Sequence, residues 1–126
     1  MTVLLVDDIS EYVETMELNL PEGCQAVAAA SVEEAREIVG RVELDLAVLD
    51  VRLSETDAEN REGLLLLQWI KERRPNLPVI VISAYREFEF EAESLALGAE
   101  FFLRKPVQPD EFREVVERVL RHKGGL

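Results

Sequence analysis

Short apolar runs alternate along the chain with segments in which apolar residues recur at helical spacing. Most of these runs are continuous in apolar residues, which is typical of strands buried on both faces of a parallel sheet. Strands are predicted at about 2–6, 24–30, 46–50, 78–83 and 100–103. Helices are predicted at about 10–20, 32–39, 64–74, 87–97 and 109–120. The alternation predicts an α/β protein with a doubly wound five-stranded parallel sheet in the order 2-1-3-4-5.

Several residues mark the ends of the predicted helices. Ser10 is predicted to cap the first helix, and Ser31 with Glu34 has the spacing of a capping box at the start of the second. Gly98 is predicted to cap the carboxyl end of the fourth helix, and Pro109 suits the first position of the last. The predicted domain covers residues 1–123 and is followed by a short tail at 124–126.

Polar side chains stand at the carboxyl ends of four of the five predicted strands. Asp7 and Asp8 follow the first strand, and the ends of the third, fourth and fifth strands carry Asp50, Ser83 and Lys105. In the order 2-1-3-4-5 these four strands are consecutive neighbours, about 4.8 Å apart. Their terminal side chains should therefore converge on one crevice at the carboxyl edge of the sheet, where open α/β sheets bind their ligands.

Three carboxylates that converge in this way repel one another. Each pair costs about 4 kcal/mol at a separation of about 4 Å and an effective dielectric constant of about 20. A divalent cation relieves this repulsion, and Mg²⁺ suits a site with a few carboxylates and several waters, with Mn²⁺ as the alternative. Taken singly, these residues have ordinary roles, because aspartates cap helices, serines occupy turns and lysines face solvent. Their joint placement at four strand ends favours a site.

A cation, a lysine and a hydroxyl around one aspartate suit the transfer of a phosphoryl group. If Asp50 accepts the group, negative charge spreads over its oxygens, and Mg²⁺, Lys105 and Ser83 each neutralise part of that charge. Lys105 precedes Pro106, and a cis peptide bond there would aim the lysine inward. His122, the only histidine, ends the last helix and is a poor phosphodonor for Asp50. The phosphoryl group is therefore expected from another protein or a small phosphodonor.

Composition narrows the function further. The 126 residues are 48% hydrophobic and 32% charged, which predicts one globular domain with a sizeable core. The formal net charge of −12 argues against direct nucleic-acid binding, which needs clustered Lys and Arg, and favours basic partners or divalent cations.

Cys24 is the only cysteine and is predicted to be a small core residue. The longest aliphatic run, Leu64 to Leu67, is too short to cross a bilayer, so no membrane contact and a cytoplasmic location are expected.

These motifs closely resemble those of the receiver domain of two-component response regulators, over essentially the whole chain. The likeness rests on the pair Asp7-Asp8, on Asp50, on Ser83-Ala84 and on Lys105-Pro106, each after the matching strand. It implies the flavodoxin-like receiver fold with Asp50 as the phosphoacceptor. It also implies that Mg²⁺ is held by Asp8, Asp50 and the backbone carbonyl of Arg52, with help from Asp7.

The resemblance further implies how such a domain signals. A sensor histidine kinase or a phosphotransfer protein would phosphorylate Asp50, and the domain would assist its own phosphorylation and dephosphorylation without being an enzyme for other molecules. Ser83 and Phe102 would act as the switch. The fourth helix, fifth strand and fifth helix would then present a changed face to a target protein, an output domain or a second copy of the chain. A stand-alone receiver and one cut from a longer regulator both fit the sequence.

Some positions depart from the usual receiver pattern. Ser54 stands where receivers commonly have a proline, four residues after the phosphoacceptor, and Gly63 comes later than the usual glycine. The loop after the third strand is therefore longer and more acidic than in most receivers. Phe102 also lacks the hydroxyl of the common tyrosine, so its ring cannot form an outward hydrogen bond.

Two other functions share features with this set of residues. A haloacid-dehalogenase-like phosphatase also uses a strand-end aspartate with Ser or Thr, Lys and Mg²⁺, but it needs a second acid two residues after the nucleophile, where Arg52 stands. A pseudo-receiver would bind partners without being phosphorylated. The intact acidic set and Lys105 argue against that alternative.

Overall fold

The protein is described by a computed structural model that covers residues 1–50, 62–84 and 88–121. Strands and helices alternate along these residues, as the sequence predicts. The strands are β1 Thr2–Val6, β2 Gln25–Ala29, β3 Leu46–Asp50, β4 Val79–Ala84 and β5 Phe101–Lys105. The helices are α1 Ser10–Leu18, α2 Val32–Arg41, α3 Glu62–Arg73, α4 Phe88–Ala96 and α5 Pro109–Leu120.

The five strands form one parallel sheet in the order β2-β1-β3-β4-β5, which confirms the predicted topology. Val6 of β1 lies beside Leu49 of β3, and Asp50 lies beside Ile82 of β4. Ala84 in turn lies beside Lys105 of β5. This register brings the last residues of four neighbouring strands to one edge of the sheet.

Helices cover both faces of the sheet and bury its apolar side chains. On one face, α2 and α3 pack on the sheet through residues such as Val39 and Leu67. On the other face, α5 packs through residues such as Val116, and α1 contributes the partly buried Met16. The interiors of the three central strands, β1, β3 and β4, are almost completely inaccessible to solvent, which explains why they read as continuous apolar runs. The edge strands β2 and β5 are only partly buried.

Three of the predicted helix ends are confirmed. The hydroxyl of Ser31 accepts a hydrogen bond from the Glu34 N–H at the start of α2. The Glu34 carboxylate reaches back to the N–H of Ala30, one residue earlier than in the standard capping box. Gly98 follows α4 with a φ of +108°, a conformation that favours glycine, and Pro109 is the first residue of α5.

The predicted cap of the first helix is wrong. Ser10 is the first residue of α1, Ile9 occupies the N-cap position, and no side chain caps this end. The Asp7 carboxylate instead accepts a hydrogen bond from the Ile9 N–H. A carboxylate two residues before the cap position therefore organises this turn.

The fifth strand is longer than its apolar run. The ladder with β4 continues through the pairs Ser83 with Arg104 and Ala84 with Lys105. Lys105 is therefore the last residue of the strand, and not part of the loop that follows. Among the described residues, no helix is long and apolar enough to cross a membrane.

Candidate functional site

The carboxylates of Asp7 and Asp50 lie side by side at the carboxyl edge of the sheet. Asp7 directly follows β1, and Asp50 is the last residue of β3, the strand next to β1. Only 2% of Asp7 and 4% of Asp50 is exposed. Aspartates are almost never buried to this extent without a compensating partner, which sets this edge apart from the acidic surface elsewhere.

Asp8 completes a group of three carboxylates with the spacing of a metal site. One carboxylate oxygen from each of Asp7, Asp8 and Asp50 lies within 4.8 Å of the other two. The Oδ1 atom of Asp8 is buried and has no hydrogen-bond partner among the described residues. A buried oxygen without a donor is costly, and a hard cation such as Mg²⁺ would satisfy it. The residues present therefore fit a divalent cation.

Lys105 supplies the positive charge of this edge. Its Nζ atom lies 3.3 Å from Oδ2 of Asp7 and 3.3 Å from Oδ2 of Asp50, and its side chain is only 16% exposed. The peptide bond between Lys105 and Pro106 is cis, as the sequence suggested. One ammonium group therefore bridges two of the three carboxylates, so the cluster retains a net negative charge.

Burial raises the pKa of Asp7 above its ordinary value. The Ile9 N–H and the Lys105 ammonium act in the opposite direction, because each stabilises the ionised carboxylate, while the charge of Asp8 adds to the rise. The net direction shows that the lysine does not fully compensate this buried carboxylate. A cation that binds at the three carboxylates would supply the missing charge.

Tyr12 is a contact of this site that the sequence reasoning missed. The Lys105 Nζ atom lies 4.1 Å from the centroid of the Tyr12 ring, well within the range of a cation–π interaction. Tyr12 belongs to the first turn of α1, and 43% of it is exposed. The only sequence signal was an aromatic residue shortly after the acidic pair.

Ser83 and Phe102 occupy the neighbouring strands. Ser83 is fully buried near the end of β4, one residue after Ile82, the register partner of Asp50. The ring of Phe102 on β5 is partly buried against the sheet face covered by α2 and α3. The guanidinium of Arg104 lies 5.6 Å from the centroid of that ring and also forms an ion pair with Glu91 of α4.

Some predicted residues lie outside the described part of the chain. Arg52 and the acidic loop up to residue 61 are among them, and so is His122. The structure therefore brings together the side chains of Asp7, Asp8, Asp50 and Lys105. It places Ser83 on the strand next to Asp50, one residue beyond the register partner of Asp50.

Comparison with known families shows to which family the chain belongs. The family model described as response regulator receiver domain matches residues 3–117. The chain belongs to the receiver domain family of response regulators. This family is a phosphoacceptor signalling module of two-component systems, and the phosphatase considered above is no longer an alternative.

Individual proteins of this family are similar in sequence to this chain. The receiver is 37% identical over 119 residues to the response regulator protein PilR of Pseudomonas aeruginosa, a match that covers 94% of this chain and 26% of PilR. It is 34% identical over 121 residues to the transcriptional regulatory protein ZraR of Escherichia coli, with 95% of this chain and 26% of ZraR covered. The chain thus spans about a quarter of the length of these relatives.

Solved structures agree with the observed topology. The crystal structure of a CheY-like receiver domain protein from Methanospirillum hungatei superposes on this receiver with a TM-score of 0.87 and 27% sequence identity. The match covers 98% of this chain and 95% of that protein. The five-stranded receiver fold predicted from the sequence is therefore confirmed.

Proposed function

We propose that this receiver is a Mg²⁺-dependent phosphorylation switch in which Asp50 accepts the phosphoryl group. The observation that carries the proposal is the surroundings of Asp50, a buried carboxylate between two acidic neighbours and the Lys105 ammonium. Asp50 lies on β3, between the strand that leads to Asp7 and Asp8 and the strand that carries Ser83. No other carboxylate of the described residues has this central place.

The residues divide the work of the transfer. An oxygen of Asp50 forms a bond to phosphorus as the bond from phosphorus to the donor breaks, and the donor leaves with its electron pair and takes up a proton. Mg²⁺ would be held by Asp8 and Asp50, with help from Asp7 and the backbone carbonyl of Arg52, and would neutralise charge on the transferred group. Mn²⁺ has the same oxygen preference and would substitute.

Lys105 and Ser83 would act on the phosphoryl group itself. Phosphoryl transfer is accelerated mainly by cations and donors placed around the equatorial oxygens. The Lys105 ammonium already lies 3.3 Å from the carboxylate that would carry the group, so a small movement would bring it to a phosphoryl oxygen. The Ser83 hydroxyl is a suitable donor from the adjacent strand.

The phosphoryl group would come from a sensor histidine kinase or a phosphotransfer protein. The relatives that match this chain are about four times longer, and ZraR is named a transcriptional regulatory protein. We therefore infer that the natural output is a partner protein or an output domain of a longer regulator, with a phosphorylation-dependent homodimer as a further form. The receiver itself would not contact nucleic acid, since its net charge is −12.

The signal would leave the site through β4, α4 and β5. A phosphoryl group carries about −1.5 to −2 charges at neutral pH, so it would draw the Ser83 hydroxyl inward. Phe102 is partly buried beside this strand and would rotate into the space that opens. Its rotation would disturb Arg104, which contacts the ring and pairs with Glu91, and would change the face formed by α4, β5 and α5.

Phosphorylation from a small donor tests the proposal. Incubation with acetyl phosphate and Mg²⁺ should add one phosphoryl group to the wild-type protein, as measured by intact mass. Asp50→Asn should abolish the addition. Asp110→Asn is the matched control, because it makes the same change in charge at a fully exposed side chain on α5 and should phosphorylate normally. Undiminished labelling of Asp50→Asn would refute the assignment.

A further inference from the structure

The Lys105 ammonium has a different neighbour on each side. Two carboxylate oxygens, from Asp7 and Asp50, lie 3.3 Å from Nζ. The Tyr12 ring lies 4.1 Å from the same atom. Tyr12 is 43% exposed, whereas the Lys105 side chain that it contacts is only 16% exposed.

Packing of the core does not explain this placement of Tyr12. The α1 residues that pack on the sheet are its partly buried Val13 and Met16, and no residue of α1 is fully buried. Tyr12 is one of the large exposed apolar side chains of the described residues. Its contact with Lys105 joins residues that are far apart in sequence, one on α1 and one at the end of β5.

We propose that Tyr12 is a positioning residue that holds the Lys105 ammonium at the phosphorylation site. The inference rests on the proposed function, because it assigns to Lys105 the task of neutralising the phosphoryl group. A lysine side chain is long and flexible, with about 2 kcal/mol of rotamer entropy. An aromatic ring over the ammonium restricts that freedom before the phosphoryl group arrives. The lysine side chain therefore loses less conformational entropy during the transfer.

A ring suits this task better than another carboxylate. A third anion beside Lys105 would compete with the phosphoryl oxygens for its charge and would add to the repulsion among Asp7, Asp8 and Asp50. The face of a tyrosine ring attracts a cation through its quadrupole and carries no net charge. Lys105 can therefore turn from a carboxylate oxygen to a phosphoryl oxygen while it stays in contact with the ring.

The contact itself can be measured without phosphate. Ring currents shift the methylene protons next to Nζ when an aromatic face covers the ammonium, and proton–carbon NMR resolves these signals. Lys105→Arg assigns them by their disappearance. The upfield shift should be present in the wild type and in Tyr12→Phe, which keeps the ring, and absent in Tyr12→Leu. Equal shifts in the wild type and Tyr12→Leu would overturn the proposal.

Phosphorylation rates then test whether the contact matters. With acetyl phosphate and Mg²⁺, Tyr12→Leu should be phosphorylated about two- to fivefold more slowly than the wild type, which corresponds to about 0.5–1 kcal/mol. Tyr12→Phe should restore the wild-type rate. Leu18→Ala is the matched control, because it removes an 82% exposed apolar side chain at the other end of α1 and should leave the rate unchanged.

The outcomes separate this inference from the function on which it rests. A lost NMR shift in Tyr12→Leu together with an unchanged rate would contradict a positioning role. A slower Tyr12→Leu with unchanged thermal stability would support it, because a merely structural role would lower both. If the wild-type protein is not phosphorylated at all, the proposed function fails and this role for Tyr12 fails with it, whatever the NMR shifts show.

Discussion

Asp7 has two partners, one on each side of its carboxylate. Its Oδ1 atom accepts the hydrogen bond of the Ile9 N–H, and its Oδ2 atom lies 3.3 Å from the Lys105 ammonium. The ordinary role of an aspartate in the turn before a helix and its role in a charged site are therefore carried by the same residue. Asp8 differs, because its buried Oδ1 atom has no donor among the described residues. A bound cation would therefore stabilise this Asp8 oxygen directly.

Substitution of Asp8 should weaken Mg²⁺ binding. Asp8→Ala removes a ligand and part of the repulsion that the metal relieves, so calorimetry should show at least about a tenfold loss of affinity, the scale seen even for partners of metal ligands. Asp110→Ala, which removes a fully exposed carboxylate, should bind Mg²⁺ like the wild type. If Asp8→Ala keeps the wild-type affinity, the metal lies elsewhere.

The thiol of Cys24 should react slowly in the folded protein. Cys24 lies just before β2 and is only partly buried, so it is not the core residue that the sequence predicted. This partial burial still raises its pKa, so at a mildly alkaline pH a smaller fraction is thiolate than in the unfolded chain. Alkylation by iodoacetamide should therefore be slower in the native protein than in urea, with Cys24→Ser as the unlabelled control. Because burial disfavours the thiolate, the fold keeps its full stability while the thiol is protonated, below the unfolded pKa, and it loses stability as the pH rises through the folded pKa. Alkylation that is as fast or faster in the native protein would contradict the raised pKa.

At the scale of elements, the helix ends show what the sequence could and could not predict. The cap of α2 was predictable because Ser31 and Glu34 interact only with their own turn. The start of α1 was not, since the nearby Asp7 organises that turn and its carboxylate also belongs to the charged site. The end of β5 was also missed, because Arg104 and Lys105 continue the ladder although the apolar run has ended. Local sequence patterns therefore fail to predict the exact ends of α1 and β5, the elements next to the site.

The two serines at helix starts provide a matched test. Ser31→Ala removes a cap and should lower the free energy of unfolding by about 1 kcal/mol, within the usual range of about 0.5–2. Ser10→Ala removes no cap bond and should change it by less than about 0.5 kcal/mol. Urea unfolding of both variants measures the difference. Equal losses would show that Ser10 caps α1 after all.

The proposed switch should be visible in β4, α4 and β5. Fluoroberyllate imitates the phosphoryl group, so with Mg²⁺ it should change amide exchange or NMR shifts in residues 84–113 as well as at the site. Asp50→Asn treated in the same way is the control and should show no change. Changes confined to the loops at the site, with residues 84–113 unaltered, would rule out this route for the signal.

For the whole molecule, the topology and most of the site were predictable because they depend on strand order. Buried parallel strands read as apolar runs, and right-handed connections leave few ways to arrange five of them. Once the order is known, Asp7, Asp50, Ser83 and Lys105 must meet at one edge. The Tyr12 contact could not be predicted, because α1 packs beside β1 and β2, and the Lys105 side chain at the end of β5 has to reach across the sheet edge to meet it. The local periodicity of a sequence does not predict how elements that are far apart along the chain pack together.

The central claim is that Asp50 is the phosphoacceptor and that its phosphorylation needs Mg²⁺. The most direct measurement is to phosphorylate the protein with acetyl phosphate, reduce the acyl phosphate with borohydride to the corresponding alcohol, and locate the modified residue by peptide mass spectrometry. The account predicts modification at Asp50 alone, and none when the metal is removed with EDTA. Modification at Asp7 or Asp8 instead, or at Asp50 to the same extent in EDTA, would contradict it.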